Sequence, residues 1–125
     1  MALFLVAMGG ALGTVLRYGA NVACSTRFGV GFPYATLLVN TLGSFALALL
    51  SQILAGRTLW GVPLGVVVGT GMLGGFTTYS SFNFETFRML QQGQLPHALF
   101  YAGLTFVSCL ALAALGWTIG IRLMR

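Results

Sequence analysis

Formal charges are nearly absent from this sequence, and the few that occur divide it into stretches of membrane length. No charged side chain lies between Arg27 and Arg57, between Arg57 and Glu85, or between Arg88 and Arg122. Each interval exceeds the roughly 20 apolar residues that cross a bilayer. Charged residues make up 6% of the chain, against about a quarter of a soluble domain, so we predict an integral membrane protein.

The apolar segments predict an all-α membrane protein with four transmembrane helices. We expect these helices over about Ala2–Cys24, Pro33–Ala55, Trp60–Leu90 and Pro96–Leu123, with residues 1–125 forming a single four-helix transmembrane domain. The chain has no nucleotide-binding loop, Cys/His cluster or pair of catalytic acids. We therefore expect neither an enzyme nor a nucleic-acid partner.

The third segment contains a sequence that suits an uninterrupted membrane helix poorly. It reads GTGMLGGFTTYSSF from Gly69 to Phe82, so glycines weaken the helix and hydroxyl side chains follow them. Broken backbone at membrane depth persists where it is buried in protein or lines a polar cavity. We predict that the third helix is broken mid-membrane, near Gly74–Thr78, beside an ion or solute pathway.

Glycines four residues apart predict close packing of helices, either within one chain or between subunits. These ridges are Gly9/Gly13, Gly61/Gly65/Gly69 and Gly116/Gly120. Because four helices enclose little interior for a pore, we expect a homo-oligomer, most simply a dimer. The six arginines divide evenly between the two sides of the predicted topology. This distribution gives no positive-inside preference and allows an antiparallel dimer.

Polar side chains recur at helical spacing on the second and fourth segments. They are Thr36, Asn40 and Ser44 on the second, and Tyr101, Thr105 and Ser108 or Cys109 on the fourth. Such side chains either line a pathway or join neighbouring helices. The Asn40 amide could donate hydrogen bonds to a passing anion or clamp two helices together, and both interpretations stay open.

The break itself offers two further kinds of chemistry. Tyr79 and Phe82 lie three residues apart, so their rings share a face and could stabilise an anion with their positive edges or simply fill the core. A broken helix also frees backbone carbonyls near Gly74 and Thr77, which suit a small hard cation. The alternative is a plain kink whose carbonyls are satisfied by threonine hydroxyls and water.

Three segments resemble, in order, the signature segments of the bacterial Fluc (CrcB) fluoride channels. They are residues 9–18 (GGALGTVLRY), 36–45 (TLLVNTLGSF) and 74–82 (GGFTTYSSF). The resemblance implies an antiparallel dual-topology homodimer in the bacterial cytoplasmic membrane. It also implies two pores that export fluoride down its electrochemical gradient and so relieve fluoride toxicity.

The resemblance assigns roles to residues around the predicted break. Asn40 corresponds to the pore asparagine of the family, and Phe82 to the second of its paired pore phenylalanines. The first of that pair is Tyr79 in this sequence, which keeps a ring and adds a hydroxyl. Gly74 and Thr77 match the positions whose backbone carbonyls hold a structural sodium ion at the dimer interface.

The resemblance also assigns roles on the fourth and first segments. Tyr101 and Thr105 match the polar track of the family, which is expected to help bind fluoride. The track ends here at Cys109, with Ser108 one position earlier, so either side chain could complete it. Arg17 matches the arginine of the family's vestibule.

Two other functions are compatible with a short membrane protein of this kind. A small dual-topology multidrug exporter needs a membrane-embedded carboxylate, but the first segment has none and Glu85 lies toward the end of the third. A non-transporting membrane assembly subunit would need only the glycine ridges. That interpretation leaves the polar stripes and the break without a role.

Overall fold

The computed structural model describes all 125 residues and is mostly helical. Its elements in chain order are α1 (Ala2–Phe28), α2 (Tyr34–Ile53), β1 (Thr58–Leu59), β2 (Val62–Pro63), a π-helix here called π1 (Val66–Leu73), α3 (Gly74–Phe76), α4 (Tyr79–Gln91) and α5 (Leu95–Leu123). The helices α1, α2 and α5 are long and apolar enough to cross a membrane. These three correspond to the first, second and fourth predicted segments.

The third predicted segment is a broken helix, as the glycines indicated. π1 continues into α3, and the helix then stops at Thr77 and Thr78, whose backbones are extended (ψ 159° and 108°). The predicted start at Trp60 is wrong, because Trp60 and Gly61 have positive φ values of 49° and 77° and form the turn of the β1–β2 hairpin. Left-handed backbone of this kind cannot begin a right-handed helix.

Backbone contact joins α1 to the first half of the broken helix. A Cβ atom added at Gly9 would lie 2.8 Å from the carbonyl oxygen of Val67, and one at Gly71 would lie 2.8 Å from that of Val6. A Cβ at Gly13 would collide with the carbonyl of Met72. Only glycine permits this approach, so the first predicted ridge is confirmed as a packing surface.

The other two predicted ridges have different outcomes. Gly116 and Gly120 pack on α2, where a Cβ at Gly120 would lie 2.8 Å from Gln52 Cβ, so this ridge is confirmed. The ridge through Gly61, Gly65 and Gly69 is wrong as a packing surface within the chain, because Gly61 lies outside the helices and no atom lies within 4 Å of a Cβ at Gly61 or Gly65. Only Gly69 meets a neighbour, with Leu47 Cδ1 3.3 Å from an added Cβ. Gly61 instead serves the hairpin turn, which needs its positive φ.

The chain has a small interior. Only 17 of its 125 residues are buried, so one copy encloses little protein core. The most buried large side chains are Val39 on α2 and Tyr101 on α5, and Tyr101 packs with Met89 of α4 and Ala98 of α5. Most large apolar side chains are exposed, as expected of surfaces that face lipid tails or another copy of the chain.

Candidate ion-conducting site

The side chain of Asn40 on α2 occupies the break in the third segment. The backbone N–H of Thr78 donates to Asn40 Oδ1 at 2.7 Å, and Asn40 Nδ2 donates to the carbonyl oxygen of Thr78 at 3.0 Å. One amide therefore satisfies both backbone groups of a residue that has left the helix. This is the clamp that the sequence left as one of two interpretations of Asn40.

The carbonyls on the other side of the break keep free lone pairs. In an uninterrupted α-helix the carbonyl of Gly74 would accept from the N–H of Thr78, which here bonds to Asn40. The carbonyl oxygen of Thr77 accepts no hydrogen bond. The Thr77 hydroxyl donates back to the carbonyl of Leu73 at 2.9 Å, so it does not serve these carbonyls.

The second half of the broken helix begins with a threonine cap. Thr78 is the N-cap of α4, and its Oγ1 accepts from the N–H of Ser81 at 3.1 Å. The same hydroxyl donates to Ser81 Oγ at 2.9 Å. An N-cap of this kind satisfies an otherwise unpaired N–H of the first helical turn, which explains why threonine and serine surround the break.

A cavity of about 620 Å³ lies against the break, between α2, the broken helix and α5. Its walls are mainly apolar, and no charged side chain lines it. Of the predicted site residues, it brings together Asn40, Gly74, Thr77, Tyr79, Phe82, Thr105 and Cys109. Residues distant in the sequence thus share one open space.

Thr105 is the buried polar residue of this cavity whose side chain has no hydrogen-bond partner. Its side chain is 6% exposed, and its Oγ1 makes no hydrogen bond. Buried hydroxyls are nearly always hydrogen-bonded, because an unpaired one loses its interaction with water without replacement. The chain therefore leaves the buried hydroxyl of Thr105, a hydrogen-bond donor, without a partner beside the cavity.

Aromatic rings extend from the cavity along α4 and α5. The centroids of Tyr79 and Phe82 lie 5.9 Å apart, those of Phe82 and Tyr101 lie 5.3 Å apart, and those of Tyr101 and Phe32 lie 5.4 Å apart. The Tyr101–Phe32 pair meets edge to face, at 81°. Phe32 lies in the loop before α2, where no helical spacing in the sequence could have indicated its place in this row.

Glu85, the only acidic residue, lies behind the rings. Its Oε2 accepts from the hydroxyl of Tyr101 at 2.8 Å, and its Oε1 accepts from that of Thr36 at 2.7 Å. Both donors are buried, Tyr101 completely. The three side chains join α2, α4 and α5 through one carboxylate, a connection that the polar stripes did not reveal.

Comparison with known proteins identifies the family. Residues 4–117 match the family described as "CrcB-like protein, Camphor Resistance (CrcB)". The chain belongs to the CrcB family. The match confirms the resemblance found in the sequence. Together with the three membrane-length helices, it identifies the chain as a multi-pass integral membrane protein of bacteria.

Relatives of this CrcB chain are named as ion channels rather than enzymes. The "Fluoride-specific ion channel FluC" of Sorangium cellulosum is 43% identical over 97% of this chain and 95% of its own length. A protein of the same name from Thermus thermophilus is 44% identical over 93% of this chain and 92% of its own length. "Fluoride-specific ion channel FluC 2" of Nitrobacter hamburgensis is 36% identical over the whole chain and 98% of its own length.

The remaining predicted site residues of this CrcB chain lie outside the main cavity. Tyr101 is buried behind Phe82 and bonded to Glu85. Ser108 lines a second, smaller cavity of about 290 Å³, where its Oγ lies 3.2 Å from Thr41 Oγ1. Arg17 is half-buried on α1, which does not border the main cavity, and makes no hydrogen bond or ion pair.

Proposed function

We propose that this CrcB protein is a fluoride-selective channel that exports fluoride passively across the bacterial cytoplasmic membrane and so relieves fluoride toxicity. The observation that carries the proposal is the unpaired, buried hydroxyl of Thr105 on the wall of an uncharged cavity. The names of the relatives, which are fluoride-specific ion channels, support the same function.

Fluoride is small and strongly hydrated, so a pore must replace its water with hydrogen-bond donors. Thr105 offers its hydroxyl, and Asn40 keeps a second amide hydrogen after donating one to Thr78. The edges of the Tyr79 and Phe82 rings carry partial positive charge. Because the cavity has no fixed positive charge, the anion would be held weakly enough to leave.

We propose that the working unit is an antiparallel homodimer with two pores. Residues 1–125 would form one domain per copy, in which the two halves of the broken helix together make a fourth crossing. Side chains at the rim of the cavity support a second copy, since Tyr79 is 74% exposed and Phe106 is 68% exposed. A partner packed on these side chains would bury them and close the cavity.

The free carbonyls at the break fit the sodium ion that the family implies. Gly74 and Thr77 offer oxygen ligands without hydrogen-bond donors, which is the donor set of a hard cation. A sodium ion held there would supply positive charge that joins the broken helices of two copies. The Thr77 hydroxyl donates to the carbonyl of Leu73, so it is not expected to bind the ion. We therefore expect the Thr77→Ala variant to assemble as a dimer like the wild type. Loss of the dimer in Thr77→Ala and its recovery in Thr77→Ser would instead show that the hydroxyl is a ligand.

The surroundings of Glu85 argue against a multidrug exporter. A proton-coupled exporter needs a carboxylate that is open to its substrate, whereas Glu85 lies outside the main cavity and accepts from two hydroxyls. A non-transporting subunit would gain nothing from the unpaired hydroxyl of Thr105, which is costly to bury. Both alternatives are therefore less well supported than the channel.

The experiment that tests the role of Thr105 is fluoride efflux from vesicles containing purified protein. We expect Thr105→Val to slow efflux at least about tenfold, the effect of losing roughly 1.4 kcal/mol of stabilisation, and Thr105→Ser to restore it. Thr118→Val is the matched control, because the Thr118 hydroxyl donates to its own helix at Ala114, away from the cavity. Wild-type efflux in Thr105→Val would remove this hydroxyl from the pathway.

A further inference from the structure

The hairpin between α2 and π1 places a tryptophan in a backbone conformation that is unfavourable for residues other than glycine and asparagine. Its two-residue turn is formed by Trp60 and Gly61, both with positive φ. Turns of this type favour asparagine or glycine, since side chains on other residues crowd the left-handed backbone. Trp60 is the only residue other than glycine with positive φ in the whole chain.

Nothing within the chain explains this choice of residue. The Trp60 side chain is 70% exposed and stacks on no other ring. A large aromatic residue that is both strained and exposed gains nothing from the fold of its own chain. Contact with something outside the chain would offset the strain.

An unpaired arginine lies at the base of the hairpin. Arg57 precedes it, is exposed, and has no acidic partner, because the only carboxylate side chain of the protein is bonded to two hydroxyls elsewhere. The carbonyl of Arg57 accepts from the N–H of Leu64, which ties the arginine to the base of the hairpin. The last turn of α5, which contains Arg122, lies beside the last turn of α2, since Gly120 packs on Gln52.

We propose that this hairpin binds the headgroup layer of the membrane, with Trp60 among the lipid glycerol groups and Arg57 on the phosphate of an anionic phospholipid. The position favours this partner, because the hairpin joins the end of a membrane-length helix to the start of the broken one. Tryptophan is enriched at such interfaces, and arginine binds phosphate strongly. A headgroup satisfies both side chains, whereas free phosphate would leave the ring in water.

Membrane binding by the hairpin is independent of fluoride conduction, but the proposed dimer would determine where the two hairpins lie. In an antiparallel pair the two hairpins would lie in opposite leaflets. Each leaflet would then receive one Trp60 anchor, and neither orientation of the chain would be favoured by it.

Fluorescence of Trp60 in vesicles tests the location of the hairpin. The chain has two tryptophans, so the Trp117→Phe variant of the full-length protein reports Trp60 alone. We expect lipids with a nitroxide near the headgroup to quench it more strongly than lipids with a nitroxide at the end of the acyl chain. Strong quenching by aqueous acrylamide with little quenching by either lipid would overturn the proposal.

Replacement of Arg57 tests the choice of lipid. In the Trp117→Phe background, shallow nitroxide-labelled phosphatidylglycerol should quench Trp60 more than equally labelled phosphatidylcholine. Arg57→Gln should remove this difference, while Arg27→Gln, an equal loss of charge at the exposed end of α1, should preserve it. Equal quenching by the two lipids in the parent protein, or an unchanged preference in Arg57→Gln, would overturn the assignment of an anionic headgroup to Arg57.

Discussion

Replacing Asn40 with alanine removes both side-chain hydrogen bonds that hold the break in the third segment. The N–H and carbonyl of Thr78 lose partners at 2.7 and 3.0 Å, and Thr78 is only 7% exposed, so water replaces them poorly. Leaving a buried polar group unpaired costs about 1–3 kcal/mol. Hydrogen bonds inside membrane proteins average about 0.6 kcal/mol and reach about 1.7. For the two bonds together we therefore expect Asn40→Ala to lose roughly 2–3 kcal/mol of unfolding free energy.

The Asn40→Asp variant keeps one of the two hydrogen bonds to Thr78 while changing the charge of the cavity. Asn40→Asp can still accept from the N–H of Thr78, but it no longer donates to the Thr78 carbonyl and adds a negative charge to the cavity. We expect both Asn40→Ala and Asn40→Asp to assemble as dimers and to abolish fluoride efflux, the second because its carboxylate repels the anion.

The assays are equilibrium unfolding in detergent and fluoride efflux from vesicles, with Ser44→Ala as the matched control. Ser44 lies one turn further along α2 and lines the same cavity, but its hydroxyl donates within its own helix, to the carbonyl of Asn40 at 2.7 Å. We expect Ser44→Ala to change the unfolding free energy by less than about 1 kcal/mol. If Asn40→Ala unfolded like Ser44→Ala and passed fluoride at the wild-type rate, the clamp and its place in the pathway would both be refuted.

Three further predictions concern contacts described above. Gly13→Ala should destabilise the protein by about 2 kcal/mol or more, because its Cβ would collide with the backbone of π1, whereas Gly19→Ala meets no atom within 4 Å and should be neutral or stabilising in thermal unfolding. Glu85→Ala should lower the unfolding free energy by roughly 2–4 kcal/mol, since two hydroxyl donors lose their shared acceptor; a loss of less than about 0.5 kcal/mol, the size expected of an ordinary surface substitution, would contradict this arrangement. Tyr79→Phe should keep fluoride efflux within about threefold of wild type, because the ring edge remains, while Tyr79→Ala should slow it markedly; equal slowing in both would assign the role to the hydroxyl.

The break could be predicted because its cause is local, and two of the glycine ridges could be predicted because a face without side chains allows close packing whichever element it meets. Gly74, Gly75, Thr77 and Thr78 weaken a helix wherever they occur together, and the extended backbone falls at the last two of these positions. The Asn40 clamp could not be chosen over the alternatives, since it depends on how α2 is rotated against a segment 38 residues away. Helical spacing shows which residues share a face but not which element that face meets.

At the end of the polar track, helical spacing likewise could not show which of two adjacent residues faces the main cavity. Ser108 and Cys109 are adjacent, so they point about 100° apart around α5 and only one can follow Thr105 into the main cavity. In the structure Cys109 lines that cavity and Ser108 lines the smaller one. The hairpin was missed for a different reason, because Trp60 in its turn contradicts the usual residue preference and no local pattern indicates it.

The most direct test of the proposed function is passive ion efflux from vesicles containing the purified wild-type protein, with fluoride and chloride measured in parallel under the same gradient. Vesicles containing a fluoride-selective channel should lose fluoride rapidly, with no loss of chloride above that of protein-free vesicles. Retention of both ions by vesicles that hold folded protein, or equal loss of both, would contradict a fluoride-selective channel.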